Sequence, residues 1–173
     1  MKRDIQKCHD DIIEMKRLIK QKLIADTDIL EALHNSDIDI ESPDEFLDTN
    51  IFGFIRIPHT QDTVRNFICF TVDDIEDSQY NSHFKIQQIQ FVCICHLDDI
   101  KTGYGIDRHD LLGYLVRSVF NWSNDFGIQF KLVYNKESTI DSDYYCRTLK
   151  FERECTNSLN NAARGNPYDR SRS

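Results

Sequence analysis

Glycine and proline are scarce in this 173-residue chain, at six and three, and there is a single tryptophan. The few glycines form no phosphate-cradling loop: Gly103-Tyr104-Gly105 is not followed by the Gly-Lys-Ser/Thr such a loop requires. No serine or cysteine stands in a nucleophile elbow. The longest apolar runs are of strand length, far below the roughly 20 residues of a membrane-spanning helix. The start, Met1-Lys2-Arg3-Asp4, leads into a charged segment instead of an apolar one. No secretory leader is therefore expected, and the protein reads as soluble and intracellular. Positive charge is also in deficit, with 21 Lys and Arg against 29 Asp and Glu and a formal charge of -8. That balance disfavours nonspecific nucleic-acid binding by the surface as a whole.

What is present is a patterned globular sequence. Hydrophobic residues make 40% of the chain and aromatics 11%, which excludes wholesale disorder. The length fits one domain with a real core, expected over residues 1–155. Cys8, Cys69, Cys93, Cys95, Cys146 and Cys155 sit largely within apolar runs, where a free thiol packs as a small hydrophobe; a reducing compartment follows. Charge is unevenly placed. Residues 37–48 hold Asp37, Asp39, Glu41, Asp44, Glu45 and Asp48 without a Lys or Arg, and residues 73–77 add Asp73, Asp74, Glu76 and Asp77. The last ten residues reverse the sign, with Arg164, Arg170 and Arg172 against Asp169. From about Thr156 the composition is that of a polar tail, ordered only if a partner holds it.

The periodicity predicts an α+β fold, with a mixed or antiparallel sheet of about five strands. Ile5, Cys8, Ile12, Met15 and Ile19 mark one face of an N-terminal helix over 3–25. Asp26-Thr27-Asp28 breaks it and opens a short second helix through about His34, with Asp28 and Glu31 as a loose capping box. Residues 36–50 read as an acidic loop, Pro43 opposing regular structure. Strands are expected near 51–57 and 67–73, joined by a polar hairpin or wider loop at Pro58–Asp62, and residues 74–82 as a further loop. A long strand over 83–96 changes phase near Gln87-Gln88, suggesting a bulge. Its C-terminal half should be central and its N-terminal half is expected to protrude toward a neighbour. A helix over about 107–124 follows, capped by Asp107, stapled by Ile106 to Leu111 and closed by Gly127. Ile128, Phe130, Leu132 and Tyr134 then alternate as a half-buried strand, residues 135–143 turn, and 144–152 returns.

Few constellations carry chemistry. Cys93-x-Cys95-His96 suggests a metal, but in an extended strand His96 points away from the two thiols, and buried cysteines are the simpler reading. His96, Asp98, His109 and Asp110 are candidates to cluster around the loop before the helix; caps and solvated loop residues account for them more plainly. Strand-end carboxylates Asp73 and Asp74 lack the acidic residue and lysine a two-metal nuclease would want, Gln88-x-Gln90 standing in that place. Arg108 at a helix start opposes the dipole and so suggests a specific contact. Tyr144, Tyr145 and Arg147 put aromatic and cationic groups on the last strand, and with Phe84, Ile86 and Arg108 they form the expected interface set. No catalytic, cofactor-binding or metal-ligating residue is assigned, and no cofactor is expected.

The layout of N-terminal helix, strands, a long strand ending His96-Leu97-Asp98, the segment Gly105-Ile106-Asp107-Arg108-x-Asp110-Leu111 opening a helix, and a hairpin ending Tyr145-Cys146-Arg147-x-Leu149-x-Phe151 resembles the tail-terminator and related neck proteins of tailed bacteriophages, over about residues 8–155. The resemblance implies a non-enzymatic α+β subunit of the virion neck or tail, assembled in the host cytoplasm into a ring, typically a hexamer. Such a ring caps the tail tube and meets the head connector proteins, with no membrane involved. DNA would pass through its lumen without specific binding, and the acidic residues Asp39, Glu41, Asp44, Glu45, Asp73, Asp74, Glu76 and Asp77, if they face that lumen, would repel it. A head–tail adaptor or stopper is the nearest alternative. A metal-dependent nucleic-acid enzyme, or a host-directed interaction protein using the basic tail, are alternatives of other classes.

Overall fold

A computed structural model of the protein describes residues 11–56, 65–77, 84–124 and 129–156, and for Glu76 and Asp77 the backbone alone. Helix α1 spans Asp11–Ala25 and α2 spans Thr27–Leu33. Met15, Ile19 and Leu23, one helical turn apart, are buried along one face of α1, as the sequence period requires. The part of this helix expected before Asp11 lies outside the described residues. The cap of α2 differs from expectation. Asp26, extended at φ -97°, turns its carboxylate over the helix start and accepts from the backbone N–H groups of Asp28 and Ile29. Asp28 is therefore already inside the helix, and the box of Asp28 and Glu31 is displaced by two residues.

Five strands make one mixed sheet: β1 (Ile51–Phe52), β2 (Asn66–Asp77), β3 (Phe84–His96), β4 (Lys131–Thr139) and β5 (Tyr144–Thr156), in the order β1-β2-β3-β5-β4. β1 is shorter than expected and runs parallel to β2, so the connection through Pro58–Asp62 is no hairpin; its own residues lie outside those described. Pro43 opens a short 3-10 turn, Pro43–Phe46, instead of preventing one. Proline's fixed φ suits a first helical position, and Phe46 is driven into the core behind it.

β2 continues through residues read as a loop, pairing as far as Asp77. Its bulge lies between Asp74 and Glu76, so the irregularity expected near Gln87-Gln88 of β3 falls on β2 instead. β3 pairs without interruption to β5, from Phe84↔Thr156 to His96↔Tyr144, and its N-terminal half is flanked by β2 as well. It does not protrude. The odd-numbered positions from Lys85 to Cys95 all face the helices and are buried. The phase change is chemical, because the buried face begins with Lys85 and Gln87 and becomes apolar only at Ile89.

Helix α3 (Arg108–Phe120) lays Leu112, Val116 and Phe120 on that face. Its N-cap position is Asp107 as expected, but the Asp107 carboxylate turns to Lys101 Nζ at 2.7 Å and caps nothing. That hydrogen bond holds the Asp107 carboxyl below the usual carboxylate range. The helix ends at Asn121, before Gly127, which lies outside the described residues, and Ile106 stays exposed. The main core fills the space between the sheet and α1, α2 and α3. A second cluster, Phe52, Phe67, Cys69, Val92, Ile94, Tyr144 and Cys146, lies on the opposite face, which explains why the end of β3 is apolar on both sides.

β4 lies at one edge of the sheet, opposite β1, and it is not half-buried. A register shift between Leu132 and Tyr134 breaks the expected alternation and sends Tyr134 to the open face beside Lys150, whose ammonium lies 5.6 Å from the ring centroid. The strand then runs on to Thr139 through residues read as a turn, and β5 extends to Thr156, beyond the expected 152. The polar tail after Thr156 lies outside the described residues.

Candidate functional site

The start of α3 brings two polar clusters together, around Arg108 and around His109. Arg108 points inward: its side chain is 8% exposed. Nε donates to the Asp99 carbonyl at 2.7 Å, Nη1 to the Ala32 carbonyl at 3.0 Å, and Nη2 lies 3.2 Å from Asp99 Oδ1. Asp99 also accepts from Asn66 Nδ2 at 2.6 Å and meets His34 Nδ1 at 3.0 Å. Four donor atoms from three residues, His34, Asn66 and Arg108, thus converge on Asp99 beside the C-terminus of α2. A fork-shaped, always-charged donor satisfies several acceptors at once, which a lysine cannot do. Arg108 is spent inside the chain. Between α2 and α3 an open groove of about 510 Å³ is lined by Asp28, Glu31, Tyr104, Arg108, Leu111 and Leu115 among others.

One residue later the chain enters a second cluster. His109 is 1% exposed, with its Nε2 3.3 Å from Asp110 Oδ1 and 3.4 Å from Glu137 Oε1 on β4. Neither contact has hydrogen-bond geometry, and both ring nitrogens are without a hydrogen-bond partner. Arg147 on β5 donates from Nε to Asp110 Oδ1 at 2.6 Å and from Nη1 to Asn135 Oδ1 at 2.9 Å, while its Nη2 lies 2.5 Å from Asp110. Gly113 makes this possible. The Arg147 stem lies across the helix there, and a Cβ at Gly113 would stand 2.5 Å from Arg147 Cδ. Glu137 lies 28 residues from His109, and the sequence alone predicts a turn over 135–143 instead of the strand that carries it. Only the continuation of β4 past its bulge brings it across.

The other expected site residues are dispersed. Tyr144 is buried in the second cluster with His96 against it, ring centroids 4.9 Å apart. Tyr145 faces the helices beside His109, at 6.3 Å between ring centroids. Phe84 and Ile86 lie at the far end of the sheet, on its open face and partly exposed. His96 accepts from the Asp98 backbone N–H and pairs with Asp98 at 3.5 Å, so the four residues proposed to cluster form two separate pairs. Cys93 and Cys95 share the buried face, where burial, then neighbouring thiols, push both thiols well up; His96 points to the other face. Asp39, Glu41, Asp44 and Glu45 are exposed, and Asp73 accepts from Thr71 Oγ1.

Asp74 is not a loose acidic residue. It meets Lys85 Nζ at 2.8 Å, and Asp11 meets the same nitrogen at 3.3 Å. Gln87, wholly buried beside them, accepts from Arg153 Nε and Nη2 and stands 3.4 Å from Asp74. Burial opposes the Lys85 charge, but the two carboxylates outweigh it and raise the lysine above its ordinary value. A raised lysine contributes its stability fully below the unfolded value and loses it as pH rises through the folded one. Lys85→Met should therefore cost about 1–3 kcal/mol, less than a fully buried pair because both carboxylates reach water. The deficit, read by urea unfolding, should be fully present at neutral pH and shrink only in strong alkali. A deficit already gone at pH 9 would contradict this account of the pair.

A family model described as YomW matches residues 26–153, from the cap of α2 to near the end of β5. No curated protein matches the chain.

Proposed function

The chain belongs to the YomW family, a phage-type family name, and from that phage-related footing we propose that it is a structural protein of the virion neck, a tail terminator that caps the tail tube as a ring. The observation that best supports this reading is the edge strand. β4 offers nine residues along a side of the sheet that no strand of the described residues pairs with, and Val133 and Tyr134 are exposed at 48% and 41%. An exposed edge with apolar side chains is a template for strand addition by a neighbouring subunit. Lys131, Lys136 and Glu137 on the same strand would then set the pairing partner by charge. In this reading the chain performs no catalysis. Its contacts are further copies of itself, the tube protein and the head connector proteins, and the exposed acidic residues of 37–48 turn toward passing DNA. A ring structure with those residues on its outer rim would remove the last point.

Immunogold labelling of purified phage particles tests the assignment, and gold at the head–tail junction is the expected result. Absence of the protein from the particle overturns the reading. Multi-angle scattering on assembled material should show a closed oligomer, and Val133→Lys, which places a charge on the edge, should lower the oligomeric fraction at least about tenfold. An unchanged fraction would take β4 out of the interface.

A further inference from the structure

We propose that His109, Asp110 and Glu137 form a binding site for a divalent transition-metal cation, zinc foremost, tying the first turn of α3 to the edge strand β4. The first reason is His109 itself. A side chain 1% exposed with both ring nitrogens unsatisfied is rare in a folded protein and calls for an unmet partner. Its Nε2 lies beside two carboxylate oxygens from different elements, not beside a hydrogen-bond acceptor in line with it.

The second reason is spacing. Zinc bonds to histidine nitrogen and carboxylate oxygen are about 2.0–2.2 Å long, so tetrahedral ligand atoms stand about 3.3–3.5 Å apart. His109 Nε2 is 3.3 Å from Asp110 Oδ1 and 3.4 Å from Glu137 Oε1, two edges of such a tetrahedron. All three donor atoms lie within 4.8 Å of one another. The remaining edge can close by rotation of Glu137, which is half exposed and sits at the solvent side. Three protein ligands leave the fourth position to water. One imidazole with two carboxylates suits zinc, cobalt or manganese, whereas magnesium and calcium favour oxygen alone.

Arg147 is the obvious objection. Its guanidinium lies 2.5 Å from Asp110 and 3.9 Å from Glu137. Two carboxylates and one guanidinium still leave a net charge of about -1 around a neutral imidazole, so the site attracts a dication. Without metal, Arg147 keeps the two carboxylates together. Its Nε and Nη2 both meet Asp110 Oδ1, the oxygen beside His109, so with metal bound they turn to the other carboxylate oxygen while Nη1 keeps Asn135.

The test uses the purified, metal-stripped full chain, titrated with zinc chloride by calorimetry and followed by thermal unfolding. One zinc ion per chain and a raised melting temperature are expected, with neither from magnesium or calcium. Glu137→Gln, at an exposed position that leaves the fold intact, should weaken zinc at least about tenfold, and His109→Gln should do the same. Cobalt in place of zinc should absorb as a four-coordinate site without thiolate-to-metal charge transfer, which separates it from the cysteines. No stoichiometric zinc, equal affinity in Glu137→Gln, or a thiolate band would each overturn the site. The neck assignment is read separately, by labelling of the particle and by the oligomeric fraction of Val133→Lys, so that a failure of the metal site and a failure of that reading are distinguishable.

Discussion

Arg108→Ala is expected to lower the free energy of unfolding by about 3–5 kcal/mol, the range for removing one partner from a buried charged network. The loss is large because no water replaces the guanidinium easily: the side chain is 8% exposed and bonds two backbone carbonyls as well as a carboxylate. Removing it strands the carbonyls of Ala32 and Asp99 and leaves the Asp99 charge to Asn66 and His34. Arg108→Lys should recover less than half, since an ammonium cannot reach acceptors on opposite sides. Urea unfolding measures both variants, and each kcal/mol should also shift the melting temperature by about 2–4 °C. A loss below about 1 kcal/mol in Arg108→Ala would mean that Arg108 does not join α2, α3 and the segment around Asp99 as described.

Phe91→Ala should cost a similar amount, about 3–5 kcal/mol, for an apolar reason. Phe91 is fully buried at the middle of β3, with ring centroids 5.9 Å from Phe70, 4.7 Å from Phe120 and 5.8 Å from Phe151. These four rings join β2, β3, β5 and α3, so the cavity left by alanine has rigid walls and little chance to collapse. Phe91→Leu keeps most of the volume and should lose less than about 1.5 kcal/mol. If the two variants lost equally, the cost would arise from lost ring-to-ring contact and not from the void. The same unfolding experiment separates the two.

The contrast between these two residues shows what could be read from residue order. Phe91 belongs to an alternation that identifies a buried strand face, and its role follows from local geometry. Arg108 carries a charge in the first turn of a helix, and local geometry placed it at a surface contact. Its burial depends on the Ala32 carbonyl, 76 positions away. Lys85 is similar. It stands at the start of a long strand, and its burial depends on Asp11 and Asp74, 74 and 11 positions away.

Apolar spacing was enough to identify the helices around Met15, Ile19 and Leu23 and around Leu112, Val116 and Phe120, and the strands carrying Ile89, Phe91 and Leu149. Backbone sterics and side-chain direction act over a few residues, and so leave a local trace. Tertiary packing settled the rest: β1 parallel to β2, the bulge in β2 and not β3, β5 lying between β3 and β4, and Glu137 meeting His109. Strand order and register depend on which distant surfaces bury each other most completely, and a one-residue bulge redirects every side chain beyond it. Such choices leave no periodic mark in the chain.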